Sequence, residues 1–148
     1  MQRFQFRLET LLKFRRMQQE QAQVNFAQAV QRLQAEEDIL DGLSTKLANS
    51  LRLFSEQQER HEVVNVMDFQ LFSNFFAQMK NRIAEQAEVI QKAEAQRYEC
   101  LLALEDAVKN CKLVERLKEK RLLEYRAQFL QEEQKLLDEM ASQRYAKG

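Results

Sequence analysis

Residues 72–93 read FSNFFAQMKNRIAEQAEVIQKA, with an apolar side chain at every third or fourth position. The positions that carry this spacing are Phe72, Phe76, Met79, Ile83, Ile90 and Ala93. An α-helix has 3.6 residues per turn, so the spacing gathers these side chains into one narrow stripe. A stripe of this width predicts a helix that packs in a coiled coil.

The same spacing continues towards the C-terminus and also runs through the first half of the chain. Its members are Leu104, Ala107, Cys111 and Val114 in the second half, and Ala22, Phe26, Ala29, Leu33, Leu40, Leu43, Leu47 and Phe54 in the first. We call these positions, with those of residues 72–93, the seam. Less apolar or smaller residues occupy it only at Glu36, Ser50, Gln86, Arg97 and Cys100.

The composition predicts very few turns. The 148 residues include no proline and only two glycines, the residues on which turns most depend. The periodic pattern lapses once, at residues 57–65, where Asn65 is suited to cap a new helix. We therefore predict a single all-α domain over residues 1–148, an antiparallel coiled-coil hairpin with helices at about 4–57 and 67–145 and a turn at about 58–66. The second helix is the longer one.

Two features of this hairpin are not explained by the seam. Pairing outward from the turn leaves residues 121–145 without an internal partner, although an apolar stripe continues there through Leu122, Tyr125, Phe129 and Leu136. Near the turn, four aromatic residues fall within eight positions: Phe69, Phe72, Phe75 and Phe76. Exposed apolar surface of this kind indicates a protein interface, with a second copy of the chain or a widened apolar tip as the alternatives.

The sequence predicts no enzyme activity. A narrow seam encloses no pocket, and the chain has too few glycines for a phosphate-binding loop. The single histidine, His61, lies in the predicted turn without metal-ligand spacing. Cys100 and Cys111 lie eleven residues apart on one helix, roughly 16 Å, which is too far for a disulfide. We expect no cofactor, metal or small-molecule substrate.

The charge balance argues against nucleic-acid binding, because 23 basic side chains face 23 acidic ones. Basic residues still concentrate in residues 1–16 and 112–126. Interspersed acidic residues make a solvated face of ion pairs the favoured interpretation of the second segment. No signal peptide or membrane span is visible, so we expect a cytoplasmic protein.

Several motifs resemble the flagellar export protein FliJ family. They are the opening Phe4-x-Phe6-x-Leu8-x-x-Leu11-Leu12 with Arg15-Arg16, the aromatic segment before Met79 and Ile83, and residues 113–121, LVERLKEKR, followed by Glu124-Tyr125, Glu133, Lys135 and Asp138-Glu139. The resemblance covers nearly the whole chain.

The resemblance implies a bacterial component of the flagellar type III export apparatus, associated peripherally with the inner membrane at the flagellar base. It implies a coiled coil similar to the gamma stalk of rotary ATPases. The implied partners are the hexameric export ATPase, the cytosolic domain of the export-gate membrane protein and, as a further candidate, export chaperones. The implied ATPase-binding residues are Phe6, Leu8, Leu11, Arg15, Arg16, Arg116, Lys120, Arg121 and Tyr125. The implied gate-binding residues are Phe72, Phe75, Phe76 and Met79.

Three other functions remain open at this point. One is the equivalent stalk of a virulence type III secretion system. Another is a self-associating coiled-coil scaffold, with Leu122, Tyr125, Phe129 and Leu136 forming the seam of a four-helix dimer. The last is a basic amphipathic helix that binds membranes or nucleic acid, which predicts strongly salt-dependent binding.

Overall fold

Two α-helices make up most of the computed structural model, which describes residues 3–60 and 65–147. Helix α1 spans Glu9–Glu59 and helix α2 spans Val66–Lys147. No strand occurs among the described residues. The predicted all-α antiparallel hairpin with a longer second helix is confirmed. His61 and the middle of the predicted turn lie outside the described residues.

The ends of the helices follow local signals. The side-chain oxygen Oδ1 of Asn65 accepts a hydrogen bond from the backbone N–H of Met67 at 3.4 Å, as expected of an N-cap residue. Helix α1 begins at Glu9, five residues after the predicted boundary. The reason is a turn over Arg7 and Leu8, closed by the Glu9 N–H bonded to the Phe6 carbonyl at 3.1 Å.

The chain divides into two compact units, each containing part of both helices. The terminal unit comprises Met1–Ala22 with Leu104–Gly148, and the central unit comprises Gln23–Ala103. In the terminal unit α1 and α2 run antiparallel, because Glu9 contacts Lys118 whereas Arg16 contacts Glu115.

In the central unit the helices also run antiparallel. Glu36 lies against Gln86, and Phe54, further along α1, lies against the earlier Phe72 of α2. The predicted seam is confirmed in both units, because every one of its positions is buried or half-buried. The fully enclosed seam residues include Met79 and Cys111, each 2% exposed.

Candidate functional site

A small apolar core organises the first candidate surface, which lies in the terminal unit. Leu12 from α1 is fully buried against Cys111 and Val114 from α2. Phe6 and Leu11 are partly buried against the same core. The core therefore joins the start of α1, and the chain before it, to one stretch of α2.

The non-helical segment before α1, residues 3–8, also packs on α2. The ring of Phe4 lies against that of Tyr125, with centroids 5.4 Å apart and planes inclined by 49°. Phe4 and Phe6 are both half-buried although neither is helical. Both rings therefore reach α2, since Phe4 contacts Tyr125 and Phe6 packs on the core that includes Cys111 and Val114.

Two ion pairs link the helices beside this core. The Lys118 Nζ lies 2.9 Å from Glu9 Oε2, and the Arg16 Nε lies 3.6 Å from Glu115 Oε1. The hydrogen bond from Lys118 lowers the pKa of the Glu9 carboxyl from its ordinary value of 4.5. These side chains are partly exposed, so the two ion pairs contribute little to the free energy of unfolding and act mainly by fixing how α1 and α2 are aligned.

The buried thiol of Cys111 belongs to the same cluster. Its Sγ donates a weak hydrogen bond to Glu115 Oε1 at 3.6 Å. Burial raises the pKa of Cys111 above its ordinary value of 9.0, and the adjacent Glu115 carboxylate raises it further. The thiol is therefore held neutral, which suits a packing role rather than a reactive one.

The nine residues implied as ATPase-binding all fall in the terminal unit, but in different surroundings. Phe6, Leu8, Arg121 and Tyr125 line one surface groove. Leu11 packs on the core, and Arg16 is paired with Glu115. The remaining three do not line the groove: Arg15, which donates to the side chain of Gln18 at 3.0 Å, and the exposed Arg116 and Lys120.

The sequence reasoning did not assign several residues that line this groove: Phe4, Gln5, Arg7, Leu117, Glu124 and Gln128. Phe4 belongs to the motif that carries the family resemblance, and its half-burial against Tyr125 is the signal of a structural role. Leu117 and Glu124 also belong to the motifs of the resemblance, whereas Gln5, Arg7 and Gln128 have no distinctive signal in sequence and meet only through the path of the segment before α1.

The second candidate surface is the aromatic cluster of the central unit. Phe54 of α1 lies at its centre, with its ring centroid 5.0 Å from that of Phe72 and 6.3 Å from those of Phe69 and Phe76. Phe75 contacts the cluster from its flank, with its centroid 5.9 Å from that of Phe76. The cluster is therefore first of all a packing contact between the helices.

The structure separates the four residues implied as gate-binding. Met79 is buried and offers no surface to a partner in this conformation. Phe72 and Phe76 are half-buried against Phe54, whereas Phe75 lies at the side. More exposed apolar residues lie nearby: Phe69, which belongs to the predicted aromatic cluster, and Val66, Met67 and Leu71, which the sequence did not point to.

The end of α2 presents a further apolar surface. Every residue from 126 to 147 is exposed. Of the predicted stripe, Leu122 and Tyr125 are half-buried, whereas Phe129 and Leu136 are exposed. Leu130, Leu137 and Met140 add exposed apolar area on the same segment.

Neither helix contains, within the described residues, a stretch apolar enough to span a bilayer. The described part of the chain also holds no cluster of potential metal ligands.

Comparison with known proteins gives one clear match. The family model described as flagellar FliJ protein matches residues 4–148. No curated protein and no solved structure matches the chain. The match begins at Phe4, so it takes in most of the segment before α1 as well as both helices.

Proposed function

Because the chain belongs to the flagellar FliJ protein family, we propose that it is a non-enzymatic stalk of the flagellar type III export apparatus. In this role it binds the hexameric export ATPase and promotes its assembly and activity. It also links the ATPase to the cytosolic domain of the export gate and assists the export of flagellar proteins, with export chaperones as further candidate partners. The proposal is based mainly on the family match over residues 4–148.

The distribution of side chains in each unit supports two separate binding surfaces. In the terminal unit, the exposed Arg7 and Arg121 line a groove together with apolar side chains, which suits the contact with the ATPase. In the central unit, exposed apolar residues adjoin the aromatic cluster, which suits the contact with the gate. We place the working protein in the cytoplasm, held peripherally at the inner membrane by these partners.

Such a stalk acts by differential affinity. It binds one arrangement of ATPase subunits more tightly than others and thereby shifts assembly and turnover towards that arrangement. No residue of the stalk then needs to take part in the hydrolysis of ATP.

The test is ATP hydrolysis by the cognate flagellar export ATPase, titrated with this protein, with hexamer formation followed in parallel. We expect stimulation that saturates near one stalk per hexamer. Absence of both binding and stimulation, with the helices intact by circular dichroism, would contradict the proposal.

A self-associating scaffold is the second candidate function. It is favoured by one observation, the exposed apolar side chains along residues 126–147. It predicts the mass of a dimer in light scattering at micromolar concentration, and loss of the dimer in Leu130→Ser with Leu137→Ser. A monomer at that concentration would exclude it.

A further inference from the structure

A surface groove of about 640 Å³ lies in the terminal unit between α2 and the segment before α1. Its apolar lining comes from both sides: Phe4, Phe6 and Leu8 from the segment, and Leu117 and Tyr125 from α2. Leu8 is 39% exposed, whereas the three aromatic residues are half-buried. The groove therefore has a firm aromatic wall and an accessible apolar edge.

The position of the segment depends on two anchors. Phe6 packs on the core formed by Leu12 and its neighbours, and its carbonyl accepts the hydrogen bond that starts α1. Phe4 is held by its contact with the ring of Tyr125. Removing the Phe4 ring would release the outer end of the segment while leaving the core and both helices in place.

The charges around the groove are unbalanced. Three carboxylates in this region already have partners: Glu9 pairs with Lys118, Glu115 with Arg16 and Glu124 with Arg121. Arg7 lines the groove, is exposed and has no carboxylate partner among the described residues. Arg121 and Glu124 also line the groove but pair with each other, so Arg7 is the charged side chain of the lining that is left for a partner.

We propose that this groove binds an acidic segment of the export ATPase that also carries an apolar side chain. The inference rests on the proposed function, which supplies the partner. The apolar side chain packs between Leu8 and the aromatic wall, and a neighbouring carboxylate pairs with Arg7. Charge complementarity of this kind mainly determines which partner binds and how fast it associates. Phe4 has two roles, since its ring is part of the aromatic wall and its contact with Tyr125 holds the outer end of the segment in place.

The test measures binding of the full chain to the cognate export ATPase by titration calorimetry at several salt concentrations. We expect Arg7→Glu and Phe4→Ala each to weaken binding by about tenfold, and the loss in Arg7→Glu to shrink at high salt. Phe4→Tyr, which keeps the ring, should bind like the unmodified protein. Lys112→Glu is the matched control, because Lys112 is exposed in the same unit but does not line the groove.

A photo-cross-linker placed at Leu8 identifies the partner segment directly. A cross-linked ATPase peptide rich in Asp and Glu supports the inference, and a neutral or basic peptide overturns it. If the unmodified protein binds the ATPase but Arg7→Glu and Phe4→Ala bind equally well, the groove assignment fails and the proposed function survives. If the unmodified protein does not bind at all, both fail.

Discussion

The side-chain amide of Gln86 joins α2 to α1 through two hydrogen bonds to a single residue, Glu36. Its Nε2 donates to the Glu36 carboxylate oxygen Oε2 at 2.6 Å and to the Glu36 backbone carbonyl at 2.9 Å. Both residues occupy seam positions and are half-buried. A polar pair in an otherwise apolar seam is satisfied in one alignment of the helices, so it selects that alignment at some cost in stability.

The pair leads to a prediction about helix register. Gln86→Ala should lower the free energy of unfolding by about 1–2 kcal/mol, because the half-buried Glu36 carboxylate loses its donor. Replacing both residues by leucine should restore stability or exceed it, while weakening the choice of register and oligomeric state. Urea denaturation and light scattering measure the two effects. A double variant that is both less stable and strictly unchanged in mass would contradict the argument.

The aromatic cluster gives a prediction that separates packing from partner binding. Phe72→Ala with Phe76→Ala should lower the free energy of unfolding by about 2–4 kcal/mol, because both rings pack against Phe54. Phe75→Ala should cost about 1 kcal/mol or less, since that ring lies at the flank of the cluster. Thermal and urea denaturation provide the comparison.

The same variants test the proposed gate contact. We expect Phe75→Ala to weaken binding to the cytosolic domain of the export gate while the helices stay folded. Equal affinity of Phe75→Ala and the unmodified protein would move the gate contact away from this flank. Met67→Ala is a suitable second variant, because Met67 is 72% exposed nearby.

The ion pair between Glu9 and Lys118 predicts a specific pH dependence. The pKa of Glu9 is lowered in the folded state, so the unfolded chain binds the proton more readily at that carboxyl. The contribution to stability is therefore fully present above pH 4.5 and is lost as the pH falls through the lowered value.

Thermal denaturation at neutral pH and near pH 3 tests this assignment. Glu9→Gln should show a smaller drop in Tm than the unmodified protein, because it has already lost the titrating group. Glu119→Gln serves as the control, since Glu119 is exposed and forms no ion pair among the described residues. Identical drops in the unmodified protein and in Glu9→Gln would show that the pair does not contribute.

The two cysteines should differ in reactivity. Cys111 is 2% exposed and the pKa of its thiol is raised by burial and by the Glu115 carboxylate, so little thiolate forms near neutral pH. We expect a thiol reagent to modify Cys111 at least about tenfold more slowly than the half-buried Cys100. Cys100→Ala and Cys111→Ala isolate each thiol in turn. Similar rates for the two single-cysteine variants would imply frequent opening of the core around Leu12.

The seam was predictable because helical periodicity is a local property of the sequence. Residues such as Phe72, Met79 and Cys111 recur at the spacing that places them on one face, and the structure buries or half-buries each of them. The family resemblance implied a partner surface that includes Met79, although Met79 also occupies a seam position. Periodicity predicts which face of the helix a residue occupies, but it does not predict how far neighbouring side chains bury that residue. Met79 is almost completely buried, with 2% of its surface exposed.

The sequence by itself determined that the chain forms two helices, that they pair through an apolar seam and that Asn65 caps the second one. These features depend on spacing, on the lack of proline and on side-chain chemistry close along the chain. Only the tertiary structure decided that Phe4 meets Tyr125 and that Gln86 finds Glu36. Those contacts join residues far apart in sequence, and their geometry depends on the alignment of the helices and on the path of the segment before α1.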